Sequence, residues 1–151
     1  MQIILLFLIP ILLSAQTITG KVVGVSDGDT LTILSQNNQT YKIRLAQIDA
    51  PEKKQDFGQA SKQSLSDICY GKNATAAVET IDKYKRYVAA ITCNGLEANL
   101  EQVKRGMAWV YIQYAKDKKY FIAEKEAKNT HIGLWSIKNP TPPWEFRKIK
   151  K

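Results

Sequence analysis

The chain has 151 residues, with 22 Lys plus Arg, 14 Asp plus Glu, one His and two Cys, for a formal net charge of +8. That length builds one ordinary domain around a single core and leaves little room for a second. A lone imidazole and two cysteines outside any CxxC spacing argue against zinc or copper sites, while the excess of lysine predicts a polyanion or an anionic surface as partner.

The first charged residue is Lys21, and residues 3–13 form an apolar run interrupted only by Pro10. Such a run is too short to cross a bilayer comfortably and fits the apolar region of a secretory signal, with Ser14-Ala15 as the small residues before a cut. Residues 1–15 are therefore read as a signal and 16–151 as the folded domain; an uncleaved anchor and a buried N-terminal segment are the alternatives. The product is expected to be exported, to a periplasm or beyond, with no stable membrane insertion.

Ile18–Val25, Thr30–Leu34 and Thr40–Leu45 are rich in Val, Ile, Thr and Tyr, and turn formers separate them, so the spacing predicts a three-stranded antiparallel meander. Gly58–Cys69 carries Ala60, Leu65 and Ile68 at helical spacing and predicts a helix ending before Gly71. Ala74–Thr80 and Tyr87–Cys93 read as a second hairpin around the charged turn 82–86. Folding it back brings Cys69 near Cys93, and an oxidising compartment makes a disulfide the default, with two buried thiols as the alternative. Closing that 25-residue loop stabilises the fold by roughly 3.5 kcal/mol.

A second helix is expected after Asn94-Gly95, with Asn99 as its cap, Gln102 three residues on and Gly106 at its end. A third is expected over Lys118–Lys128, followed from about residue 133 by an extended tail lying on the body through its tryptophans and ending in a frayed basic segment, 147–151. Five strands and three helices predict an α+β domain built on a closed five-stranded antiparallel barrel of the oligonucleotide-binding (OB) type, expected to act as a monomer.

Asp27-Gly28-Asp29-Thr30 is either a plain hairpin turn or part of a site, and Asp49-Ala50-Pro51-Glu52 is either a solvated strand end or its counterpart. Acid groups in a basic chain make sense where they hold a cation that meets phosphate. Asp29, Asp49 and the Ala50 carbonyl offer the oxygens a hard divalent ion prefers, calcium first and magnesium or manganese second. Arg44 faces away from Ile43 and Leu45, and its fork suits phosphate, although a surface arginine paired with a neighbouring acid reads equally well. Tyr84, Lys85 and Tyr114 are candidate substrate contacts, the tyrosines as flat surfaces for bases; Trp109 and His131 are read as packing or surface residues.

In the order Asp27-Gly28-Asp29-Thr30, Arg44 through Pro51-Glu52, Asp82-Lys83-Tyr84-Lys85-Arg86, Gly106-Met107-Ala108-Trp109 and Gly133-Leu134-Trp135, the chain resembles the staphylococcal nuclease family over residues 20–146. The resemblance implies an OB barrel with three helices and calcium-dependent cleavage of DNA and RNA, single-stranded or denatured substrate preferred, to products ending in 3′-phosphate. It further implies Asp29, Asp49 and Ala50 as metal ligands, Arg44 and Arg86 as phosphate-gripping arginines and Glu52 as general base. Ala50 stands where threonine is common. Lys85 stands where glycine is usual, and a turn requiring positive φ there would strain it or shift Arg86. The alternative to an enzyme is a barrel of this shape that binds single-stranded nucleic acid without cutting it.

Overall fold

The computed structural model describes residues 15–149; the expected signal, apart from Ala15, lies outside them. Eight strands and four helices follow one another as β1 (Thr17–Asp27), β2 (Thr30–Leu34), β3 (Thr40–Leu45), β4 (Ile48–Asp49), α1 (Gly58–Cys69), β5 (Asn73–Ile81), β6 (Tyr87–Cys93), β7 (Leu96–Glu97), α2 (Ala98–Lys104), β8 (Trp109–Val110), α3 (Lys118–Asn129) and α4 (Pro143–Ile149), with a short 3-10 helix at Gly133–Ser136 before α4.

Five of the strands close into a barrel of the OB type in the order β3-β2-β1-β5-β6. Its four sequential pairings are antiparallel, and the closing contact, with Ile43 opposite Tyr87, is parallel. Strand β1 serves two partners because it bends: its first half pairs with β5, its second with β2, and register irregularities fall between Val22 and Gly24 and between Val25 and Asp27. At the bend a Cβ on Gly20 would sit 2.2 Å from the Leu34 carbonyl oxygen, so only glycine permits the close crossing.

Alternation along the strands sends Val22, Leu31, Ile33, Ile43, Leu45 and Ile91 into the barrel, where all are fully buried. Each contributes about 1.5–3 kcal/mol by leaving water. A disulfide joins Cys69, at the end of α1, to Cys93, at the end of β6, with Cα atoms 5.3 Å apart.

Three expectations require correction. Asn99 does not cap α2: Glu97 is the residue before its first turn, and Asn99 lies inside the helix, fully buried. Its amide oxygen accepts from Ile91 N–H at 2.9 Å, and its Nδ2 donates to the carbonyls of Ala46 and Ala89.

The tail is not extended throughout, since residues 143–149 form a fourth helix. Proline suits a first helical position, where its missing N–H has no partner to lose. Trp144 then anchors the helix by stacking on Tyr111, ring centroids 5.6 Å apart and planes within 3°, and by meeting Trp109 edge-on. A hydrogen bond from Gln55 Nε2 to the Thr141 carbonyl holds the approach to it.

The end of the chain is not frayed as far as it is described: α4 runs through Ile149 and places Arg147 against the body. Among the described residues no helix is long and apolar enough to cross a membrane.

Candidate active site

Two loops meet at one end of the barrel. The first, between β1 and β2, carries Asp27-Gly28-Asp29; the second runs from the end of β3 into β4 and carries Asp49. Leu45 N–H donates to the Asp29 carbonyl at 2.8 Å, and Ala50 N–H donates to Asp29 Oδ2 at 2.7 Å, so backbone bonds lock the loops together. Gly28 fits beneath them because it lacks a side chain: a Cβ there would fall 1.8 Å from the Ser61 hydroxyl of α1. From α2 the buried amide of Gln102 donates to the Gly28 carbonyl at 2.8 Å and to the Ser61 carbonyl at 3.0 Å.

Arg44 is the hub. One guanidinium nitrogen donates to the carbonyls of Leu45 and Ile48, and the other lies 3.3 Å from both Asp29 Oδ2 and Asp49 Oδ1. The turn that delivers Asp49 depends on Gln47, held at φ +65°, whose amide oxygen accepts from Lys116 and Asp117 N–H. Asp29 and Asp49 are 6% and 1% exposed, which makes their charges expensive unless cations stay close.

The electrostatics record that crowding. Burial, and then the charge of Asp29, pushes the Asp27 carboxyl up to about 6. Burial also raises Asp49, against the hydrogen bond from Arg147 that favours its ionised form.

Arg147 completes the cluster from the far end of the chain. Its fork straddles Asp49, with Nη2 2.7 Å from Oδ2 and Nη1 3.2 Å from Oδ1, and Nη1 reaches Glu52 Oε1 at 2.9 Å. Hydrogen bonds to Asp49 and Glu52 raise its pKa and keep it charged.

Of the residues singled out in the sequence, Asp29, Arg44, Asp49, Ala50 and Glu52 converge here. Arg86 has its ion pair elsewhere: its Nε donates to Asp82 at 2.7 Å, beside the ring of Tyr84. It stays within the site's neighbourhood, because Arg44 and Val88 are partners across the β3–β6 closure. Tyr84 and Tyr114 are exposed; Tyr114 lies edge-on to Tyr111, which in turn stacks on Trp144. Lys85 is exposed at the tip of the β5–β6 turn with φ +63°.

Sequence reasoning gave no site role of its own to Asp27, read only within its turn, to Gln102, read as part of a helix start, or to Arg147, read as part of a frayed end. The first was legible, since an Asp-x-Asp pair puts a second carboxylate beside any ion the first would hold. The buried amide and the distal arginine carry no local signal.

The donor set fits a hard divalent cation. Two buried carboxylates lie against one guanidinium nitrogen of Arg44, and a second guanidinium already rests on Asp49 as a cation would. Among the described residues no three His, Cys, Asp or Glu side chains form a ready cage, so the remaining ligands would be main-chain oxygen, water or substrate.

Residues 42–137 match the family model described as staphylococcal nuclease homologue. A Haemophilus influenzae protein named uncharacterized endonuclease is 45% identical over 150 residues, covering 99% of this chain and 84% of its own. An Escherichia coli O157:H7 protein of the same name is 39% identical over 134 residues, 88% of this chain and 87% of its own. The Shigella flexneri micrococcal nuclease is 36% identical over 143 residues, 87% of this chain and 82% of its own.

Proposed function

The chain belongs to the staphylococcal nuclease family and is an endonuclease of that type, and from that premise we propose that it cleaves DNA and RNA with calcium to products ending in 3′-phosphate. The observation that carries the reading is the meeting of Asp29 and Asp49 on Arg44, with Glu52 joined to the same cluster through Arg147. Asp29, Asp49 and the Ala50 carbonyl would hold the ion. Calcium held there would supply the positive charge that offsets a phosphate oxygen.

Glu52, 40% exposed at its side chain and at the rim of the cluster, takes the proton of a water that attacks phosphorus in line. The phosphorus–O5′ bond breaks, the 5′ oxygen gains a proton from solvent, and phosphate stays on the 3′ oxygen. Arg44, fixed by two carbonyls and two carboxylates, needs no reorganisation to meet charge growing on the phosphate. Arg86 supplies a second fork from the β5–β6 turn, and Tyr84, Lys85 and Tyr114 flank the path of a single strand. An oxidising, exported location belongs to the same reading, supported by the Cys69–Cys93 disulfide.

The test is cleavage of heat-denatured DNA and of RNA by purified protein, with calcium or with chelator, and end-group analysis of the products. Calcium-dependent release of 3′-phosphate ends is expected, and Glu52→Gln should lower kcat by roughly a hundredfold or more. Retention of intact oligonucleotide regardless of metal would replace the hydrolase with a binding module.

A further inference from the structure

Arg147 takes carboxylate lone pairs of Asp49 that a divalent cation would also use. Its Nη2 is 2.7 Å from Asp49 Oδ2, whereas a bound calcium sits about 2.3–2.6 Å from such an oxygen. The two cations compete for the same lone pairs, and their mutual repulsion in a poorly hydrated site prevents both from sharing them. The arginine is also placed deliberately. Trp144, three residues earlier on the same face of α4, stacks on Tyr111 and meets Trp109, and the preceding Pro143 is buried.

The charge count gives this contact a purpose. Asp27, Asp29, Asp49 and Glu52 against Arg44 and Arg147 leave the cluster with about two negative charges near neutral pH. A divalent cation brings that to neutrality, so an incoming phosphodiester is no longer repelled. Without Arg147 the same ion would leave the cluster negative. We propose that Arg147 is a displaceable counterion which the incoming divalent ion dislodges from Asp49 and which then binds substrate phosphate, so that the C-terminal helix weakens metal binding and strengthens nucleic-acid binding.

The side chain is suited to both positions. It is 40% exposed, it keeps Glu52 as a second partner at the rim when Asp49 is taken, and its fork can grip two phosphate oxygens. Helix α4 therefore acts as a strap whose arginine moves while its tryptophan stays anchored.

This rests on Asp29 and Asp49 being metal ligands, as proposed above, and the experiment separates the two ideas. Calcium chloride alone is titrated calorimetrically into the wild-type protein, Arg147→Gln and Trp144→Ala, the last of which unseats α4 without removing the charge. Both variants should bind calcium about tenfold more tightly, the scale of one lost charge-assisted contact. At saturating calcium, Arg147→Gln should raise KM for a single-stranded oligonucleotide about tenfold, with a smaller change in kcat, and should reduce the salt slope of binding by about one.

Equal calcium affinity in all three proteins would overturn the counterion role while leaving the metal site intact. An unchanged KM and salt slope would overturn the phosphate contact. Failure of every protein to bind calcium would overturn the metal assignment and this inference with it.

Discussion

Asp82 and Arg86 close the β5–β6 turn around a single carboxylate: Asp82 accepts from Arg86 Nε at 2.7 Å, from Arg86 N–H at 3.0 Å and from Tyr84 N–H at 2.9 Å. The residue that builds the turn is thus the one that aims the arginine. Asp82→Ala should free Arg86 to sample other rotamers and lower kcat/KM about tenfold in a calcium-dependent cleavage assay, with Asp82→Asn intermediate because one oxygen remains to accept. A change under twofold in both variants would detach Arg86's position from catalysis. The pH dependence follows from the same contacts. Burial pushes Asp82 up, but the hydrogen bonds from Arg86 and Tyr84 outweigh it and hold the carboxyl below 3.8. A folded value below the unfolded one means that the ionised form adds stability above the unfolded value and loses it as pH falls through the folded one. The urea-midpoint difference between wild type and Asp82→Asn should therefore be constant near neutrality and shrink as the pH drops below about 4.

Lys85 sits in the left-handed region at φ +63°, and its N–H donates to the Asp82 carbonyl at 3.0 Å to complete a tight turn followed by one left-handed residue. A β-carbon in that conformation costs about 1 kcal/mol that glycine does not incur. Lys85→Gly should raise the melting temperature by roughly 3 °C. Since Lys85 also brings positive charge to the rim, the same variant should raise KM for oligonucleotide modestly and flatten its salt dependence. A lower melting temperature would show that the turn carries no strain at this position.

The disulfide ties the last turn of α1 to the end of β6, where Cys93 pairs with Ala74 of β5. The Cys69→Ala/Cys93→Ala double variant should lose about 3 kcal/mol and melt roughly 10 °C lower. Cleavage at 25 °C should stay within about twofold, because the bridge contributes no polar contact to Asp29, Asp49 or Arg44, whose partners are Ala50 N–H, the Leu45 and Ile48 carbonyls and Arg147. Loss of activity in a variant that is still folded would tie α1 to the site more closely than its contacts do.

What could be read from the chain was what short-range chemistry dictates. Strand composition, the Asp-Gly turn and the alternation that turns Arg44 away from Ile43 and Leu45 all act over a few residues, and the barrel strands fall where those patterns put them. Lys85 was legible through the resemblance, since glycine is usual at its position, and the turn does hold it at positive φ. Asn99 and Gln102 were misread because a polar pair three residues apart looks the same at a helix start as inside a buried hydrogen-bond network; only distant neighbours such as Ala46 and Gly28 distinguish them. Helix α4 was hidden by Pro140 and Pro142 before it and Pro143 at its start, which suggest extended chain, while the contact that anchors it is between Trp144 and Tyr111. Arg147 was one basic residue in a basic run, and nothing local separates it from Lys148.

Gln102 joins core packing to the geometry of the site. Its amide nitrogen donates to the carbonyls of Gly28 and Ser61, and so pins the Asp27-Gly28-Asp29 loop to α1 from a position with no exposure to solvent. Gln102→Leu keeps the volume but leaves the Gly28 carbonyl without this donor and removes the extra bond to Ser61, a loss of about 2 kcal/mol in chemical denaturation. The loop would then relax away from Asp49, so calcium affinity measured by calorimetry should fall several-fold even at temperatures where the variant is fully folded. Gly28→Ala reaches the same loop from the other side, because the added methyl meets the Ser61 hydroxyl and must push Asp29 out of register with Ala50 N–H. The two variants should resemble one another in weakened calcium binding and reduced turnover, and differ from Glu52→Gln, whose loss of turnover should far exceed any change in calcium affinity. If Gln102→Leu is destabilised but binds calcium as the wild type does, the amide supports the core alone and the loop is held by its backbone bonds to β3 and Ala50.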